Sequence, residues 1–437
     1  MRFMKCIGLS VCLVGLVVGG AGVSAGQEKA AKRPPKYTVT DLGPLSGGTF
    51  SQTTGANNFG WQSGLSTEAD GTQHAVLWHD GEIIDISKQT PEGTNSGAFS
   101  INDFGGVLVD GELTKKDPNN ENFCAYGTGL ICRAYLWLGG AMVPLPTLGG
   151  PNNLVTWINN RGLATGIAET DKREPSCPGT VSPSGTGPQI LKFEGVLWGP
   201  FPGQVRAMRP LPGDSVSIAS AVNDQGDVVG GSGSCADTFL PGPTVAPHAV
   251  IWENGEPSDI GNLGGTSNPD LFGISTIAIA INNNGVATGA AALPGNQTSH
   301  AFFWSKKERR MKDLGTVAGD VHTAGLGLNN LDEIVGPSFD ADGNPRAYLY
   351  KDGEMNDLNA LVPADSPIYM LVAFGINDRG QVVGFGVDAE GDVHGFLATP
   401  CGGEVDEMHE KAHAILSERT KQFLRDRMGI GGGTRSH

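Results

Sequence analysis

The chain has 437 residues, enough for two or three ordinary domains or one large repeat domain, and 39% of them are hydrophobic, enough for a packed core. Its 66 glycines follow no three-residue period, which excludes collagen, and charged residues are few at 17%. The formal net charge of −16 disfavours nucleic acid and anionic membrane surfaces as partners.

Residues 1–25 read as a signal peptide. "MRFMK" is a short basic start, "CIGLSVCLVGLVVGG" is apolar, and "VSA" supplies small residues before a cleavage after Ala25. Two rivals are a retained membrane anchor, for which the apolar run is short and glycine-rich, and a lipid anchor at Cys12, for which Val11 is a poor preceding residue. Cleavage would remove Arg2 and Lys5 but no acid, leaving 46 acids against 28 bases. Residues 26–36 read as a flexible linker. No later segment is apolar enough to cross a bilayer, so no stable membrane insertion is expected after cleavage. The expected location is secreted, periplasmic or at the cell surface.

From residue 37 to 400 one phrase recurs. Seven turns share a register: "NNFG" at 57, "NDFG" at 102, "NNRG" at 159, "NDQG" at 223, "NNNG" at 282, "NNLD" at 329 and "NDRG" at 377. Asn opens each turn, where its side chain can bond backbone two residues on. Gly closes six, where a left-handed conformation is cheap, and Asp332 tolerates the same conformation in the sixth copy. Alternating apolar runs flank each turn, so each is read as a hairpin of two strands, A and B.

A second phrase alternates with the first: "HAVLW" at 74, "RAYLW" at 133, "EGVLW" at 194, "HAVIW" at 248, "HAFFW" at 300, "RAYLY" at 346 and "HGFLA" at 394. Most copies lead through a short turn into a strand ending like "DLG", which makes a second hairpin, C and D. The copies are spaced 59, 61, 54, 52, 46 and 48 residues apart, the period of propeller blades. The ordered part begins with a lone D strand, "YTVTDLG" (37–43), and ends with a C strand lacking its D, "HGFLATP" (394–400). The count balances if the first strand completes the last blade. The expected fold is therefore all-β, a seven-bladed propeller of four-stranded antiparallel blades closed by strand exchange between the ends. An open β-solenoid is the alternative, but it gives the matching half-units no purpose.

"HAFFW…MKDLGTVAG" and "AIAINNNGVATG" resemble the HAF repeats, named as probable extracellular repeats, over roughly residues 37–400. That resemblance implies an exported bacterial repeat protein. It brings no catalytic residues.

In such a blade the A–B and C–D turns share one face and the B–C and D–A connections share the other. The A–B and C–D turns are uniformly tight. Long insertions fall in the B–C connections of blades two, three and four, at 113–131, 170–190 and 233–246. The longest D–A connections are 262–273 and 359–367. Variable loops on a rigid scaffold commonly carry binding, so the loop-rich face is the expected site for an unknown protein or glycan. In an exported chain cysteine pairing is expected. Cys124 and Cys132 share the blade-two insertion, and Cys177 and Cys235 hold like positions in the next two, so each pair is a disulfide candidate, although spacing leaves other pairings open. Cys401 is left over.

Other motifs weigh less. "HEKAH" (409–413) has the spacing of a zinc site with a general base, but it lies in a terminal tail with no second subdomain to form a cleft. The tail, 401–437, reads instead as an amphipathic helix over about 403–428 with a disordered end. His74, His248, His300 and His394 open C strands in separate blades and read as structural repeats, and Trp157, next to the turn of an A strand, reads as core in preference to a place near the channel. "DADGN" (340–344) and "DAEGD" (388–392) alternate oxygens as calcium loops do, but Asp-Gly also suits a short turn. No catalytic residue, cofactor or metal ligand is assigned. The expected function is a binding or interaction scaffold working through its loop-rich face, with a carbohydrate-active enzyme on that face as the alternative.

Overall fold

A computed structural model describes residues 35–90, 94–177, 188–235, 248–266, 276–404 and, in the tail, 414, 416, 418, 420 and 421. The signal peptide, most of the linker and "HEKAH" lie outside these residues, as do parts of the insertions of blades three and four.

Seven antiparallel sheets follow one another round a ring, each a meander of A, B, C and D strands. Blade one is Ser51–Ala56, Trp61–Thr67, Gln73–His79 and Glu82–Asp85. The A strands of neighbouring blades touch all the way round and line the axis. Blade six departs from the pattern because its A position is split into His322–Thr323 and Gly327–Leu328, both paired to Ile334–Phe339.

The ring closes as the unmatched half-units imply. Pro35–Asp41 lies antiparallel to Val393–Glu404, with Tyr37 opposite Pro400 and Asp41 opposite Phe396. The strand starts two residues before the expected Tyr37. Tyr37 is buried in the core between blades six and seven, and its hydroxyl donates to the Gly380 carbonyl at 3.2 Å. The closing strand covers the edge that the longer Val393–Glu404 would otherwise present, and leaves the seven-residue Pro35–Asp41 as the outer strand of the sheet.

The recurring residues have specific work. The six turn glycines have φ between +72° and +88°, and Asp332 takes +61° in the same place, so the turn demands a left-handed residue. The tryptophans that end C strands lie between blades. Trp78, Trp198 and Trp252 are buried, and their indole N–H groups donate to the carbonyls of Leu42, Pro146 and Arg209 at 2.7–2.8 Å, each just past the D strand of the preceding blade. The C-strand histidines pair with the D-strand aspartate of the same sheet: His74 with Asp85, His248 with Asp259, His300 with Asp313, and His394 with Asp41, at 2.8–3.1 Å. The last pair spans the closure.

Candidate functional site

The two faces are built by different means. On the tight-turn face, the first Asn of every A–B turn caps its own turn. Asn57 Oδ1, for example, accepts from the N–H groups of Phe59 and Trp61 at 3.0 Å. Its Nδ2 then reaches the next blade and donates to the Asn102 carbonyl at 3.1 Å. Asn102, Asn159, Asn223, Asn282, Asn329 and Asn377 repeat the step at 2.8–3.2 Å, and Asn377 returns to the Asn57 carbonyl. These seven bonds form a closed belt.

The second residue of each turn forms a second belt. The backbone N–H of Asn58 donates to Asp103 Oδ1 at 2.8 Å, and the step continues through Asn160, Asp224, Asn283, Asn330 and Asp378 back to Asn58 at 2.8–3.1 Å. Both belts surround an axial pocket that opens on this face and also receives Trp157 from blade three. Trp157 is thus a pocket-lining residue rather than a purely core one. Phe59, Phe104 and Leu331 stand exposed at the third position of their turns, next in sequence to residues that line the pocket. The second belt was missed in the sequence, although its signal was there: that position is Asn or Asp in all seven copies.

On the loop-rich face the insertions are tied by contacts that no repeat supplies. Cys124 bonds Cys132 within the blade-two insertion, and Cys177 bonds Cys235 across the insertions of blades three and four. Cys401 is in neither bond and stands opposite Lys36 in the closing strand pair. Both disulfides belong to one apolar cluster with Phe123, Phe193 and Val216.

Beside that cluster lies a knot of buried acids that sequence spacing did not reveal. Asp117 and Glu121 come from the blade-two insertion and Glu169 from the B strand of blade three, Ala164–Arg173. All three are buried, and their carboxylate oxygens lie within 4.8 Å of one another. Glu121 Oε1 accepts from the N–H groups of Ile190 and Leu191 at 2.6 and 3.0 Å, which fastens the blade-two insertion to the end of the blade-three insertion. Asn152 Nδ2 donates to Asp117 at 2.9 Å and to Glu169 at 2.8 Å, while its Oδ1 accepts from Cys132 N–H. Burial pushes the Glu121 carboxyl above the usual range and the Glu169 carboxyl well above it, with the Glu121 charge adding to the second shift.

The remaining motifs have structural partners. Asp340 Oδ1 accepts from Asp342 and Asn344 N–H, and Asp388 Oδ1 accepts from Glu390 and Asp392 N–H, so both acidic loops are side-chain-capped turns. In the tail, Leu416 is buried against Phe50, Phe339, Leu371 and Val387, and Thr420 donates to the Gly391 carbonyl, so this segment lies on the loop-rich side of blades one, six and seven.

No family model matches the chain, and no curated protein does. Solved structures match in fold. An oligogalacturonate lyase from Vibrio parahaemolyticus is 11% identical with a TM-score of 0.50, over 83% of this chain and 93% of that one. An oligogalacturonate lyase in complex with manganese is 12% identical with a TM-score of 0.49, over 85% and 98%. A puromycin-hydrolysing peptidase from Mycobacterium tuberculosis is 13% identical with a TM-score of 0.46, over 77% of this chain, which spans about half (49%) of the peptidase. At these identities the likeness is one of fold alone. The chain is a seven-bladed β-propeller. Its two disulfides suit a non-reducing, extracellular or periplasmic setting, and among the described residues no helix is long and apolar enough to cross a membrane.

Proposed function

We propose that this propeller is an exported, HAF-like binding scaffold whose working surface is the loop-rich face of blades two to four. The observation that carries this reading is the Cys177–Cys235 bond, which joins two neighbouring insertions, together with the Glu121 contacts to Ile190 and Leu191, which join a third. Loops held in advance lose less entropy on binding, so such a platform suits recognition. The partner is a protein or a glycan. The test is capture of arrayed neutral and acidic glycans, and of surface proteins, by the exported chain and by a Cys177→Ser/Cys235→Ser variant. Binding that weakens in the variant supports the platform, and unchanged binding removes it.

A second reading has its own observation. The axial pocket on the opposite face is walled by amides and by Asp103, Asp224 and Asp378, with Trp157 in its lining, and Phe59 and Phe104 are exposed on the turns that border it in sequence. Aromatic faces beside fixed polar groups suit a sugar. A Trp157→Ala/Phe104→Ala variant that loses glycan binding, with the disulfides intact, would favour this face. Hydrolysis or elimination of a captured glycan would favour the carbohydrate-active enzyme over the scaffold.

A further inference from the structure

The acid knot needs an explanation that neither the repeat nor the platform supplies. Three carboxyl groups are buried together, and among the described residues none forms an ion pair with a lysine or arginine. Arg133 feels the Glu169 charge but makes no ion pair with it. Burying unpaired carboxylates is costly, and a knot that formed only to hold two insertions together would be better built from apolar groups.

A second observation comes from an uncharged group. Gln189 is 1% exposed, and its Oε1 has no hydrogen-bond partner. The same amide points its Nε2 into the knot, at 3.0 Å from Glu169 Oε1 and 3.4 Å from Glu121 Oε1, with the Leu191 carbonyl at 2.8 Å. Two N–H bonds thus face three acceptors while the oxygen faces none. A half-turn of the planar amide exchanges the two atoms. It would bring Oε1 among the carboxylates and the Leu191 carbonyl, a set of oxygens that a cation can hold together, in place of the hydrogen bond between the Glu121 and Glu169 carboxyl groups.

We propose that Asp117, Glu121, Glu169 and the Gln189 side-chain carbonyl form a structural site for a calcium-class divalent cation that staples the blade-two insertion to blade three. The donor chemistry selects the class. All the donors are hard oxygens, three of them charged, with no imidazole or thiolate, which disfavours zinc and copper. Oxygens bound to one calcium at about 2.3–2.6 Å can lie up to about 5 Å apart across the ion. The 4.8 Å limit on the knot fits that span without rebuilding the backbone. Asn152 is a positioning residue, since its amide orients Asp117 and Glu169 and is itself fixed by Cys132 N–H.

The proposal does not depend on which ligand the platform takes, so the two fail separately. The test is calcium titration of the full exported chain, stripped with EDTA and followed by calorimetry and by thermal unfolding. One calcium is expected to bind per chain and to raise the melting temperature. Glu169→Gln should weaken binding at least about 100-fold and abolish the thermal shift. It should leave melting in EDTA close to wild type, because the amide keeps the shape and removes a buried acid. Asp388→Asn, in the capped turn of blade seven, should leave binding unchanged. Should Glu169→Gln not fold, Gln189→Ala removes a ligand without touching charge and carries the same expectation. Absence of binding to wild type at about 1 mM calcium, the weak end for extracellular modules, overturns the proposal, as does binding that survives these variants.

Discussion

The tight-turn face and the loop-rich face are held together in opposite ways. The first is stitched by fourteen hydrogen bonds in two belts, with the same two bonds contributed by every blade. The second repeats only the pair between the residue opening a C strand and the D-strand Asp, in five blades, and its insertions depend on contacts made singly: two disulfides, the acid knot, and in blade six a further carboxylate that turns that pair into a buried triad. There Arg346 donates in a bidentate fork to Asp320 at 2.7 and 2.9 Å and reaches Asp357 at 3.3 Å. A face built by repetition spreads its stability thinly and evenly. A face built from single contacts concentrates it, and can vary from blade to blade without breaking the ring.

That contrast predicts unequal costs. The loop closed by Cys177–Cys235 spans 58 residues, for which chain entropy gives about 4 kcal/mol, against about 2.5 kcal/mol for the 8-residue separation of Cys124–Cys132. Serine replacements in each pair, compared by denaturant unfolding, should fall in that order. Arg346→Ala should cost about 3–5 kcal/mol, because it strands two buried carboxylates. On the tight-turn face, Asn223→Ala removes one belt bond and one turn cap and should cost only about 1–3 kcal/mol. A belt variant costing more than the long disulfide would mean that the belts act as one cooperative unit.

The smallest expected effect is a pH dependence at the closure. The hydrogen bond to Asp41 raises the His394 pKa above its usual value of about 6.5, against the pull of burial. Its contribution is therefore full below about pH 6.5 and fades as pH rises through the raised value. Burial works to raise the Asp41 pKa, but the His394 bond, the Gly43 N–H and the imidazolium charge bring it below the usual range. That contribution is present above about pH 4 and fades as pH falls through the lowered value. The pair should stabilise most between those limits. His394→Gln should flatten the profile there by less than about 1 kcal/mol, since both groups are partly solvated.

Much of the ring was legible because repetition amplifies local signals. The Asn-x-x-Gly turns, the tryptophans and the unmatched end strands each follow from chemistry within a few residues. The belts were half legible. The cap on Asn57 is local, but the partner of Asn57 Nδ2 is 45 residues away and that of Asn377 is 320 away, so only the ring itself brings them together. The acid knot was illegible for the same reason. Asp117, Glu121, Glu169 and Gln189 have no motif spacing and meet only where two insertions cross. For Trp157 the sequence offers both the channel and the core, and no other blade carries an aromatic residue at that position to decide between them.

Every statement about which loop shares a face with which depends on the circle closing through its first strand. Lys36 stands opposite Cys401 in that pairing. Directly opposed residues of antiparallel strands have Cα atoms about 4.5–5.5 Å apart, within disulfide range. The single substitution Lys36→Cys, with non-reducing mass mapping of the purified monomer, therefore tests the closure directly. The account predicts an intramolecular disulfide between position 36 and Cys401, with both other disulfides intact. Two unlinked thiols, or a link found only between chains, would contradict it.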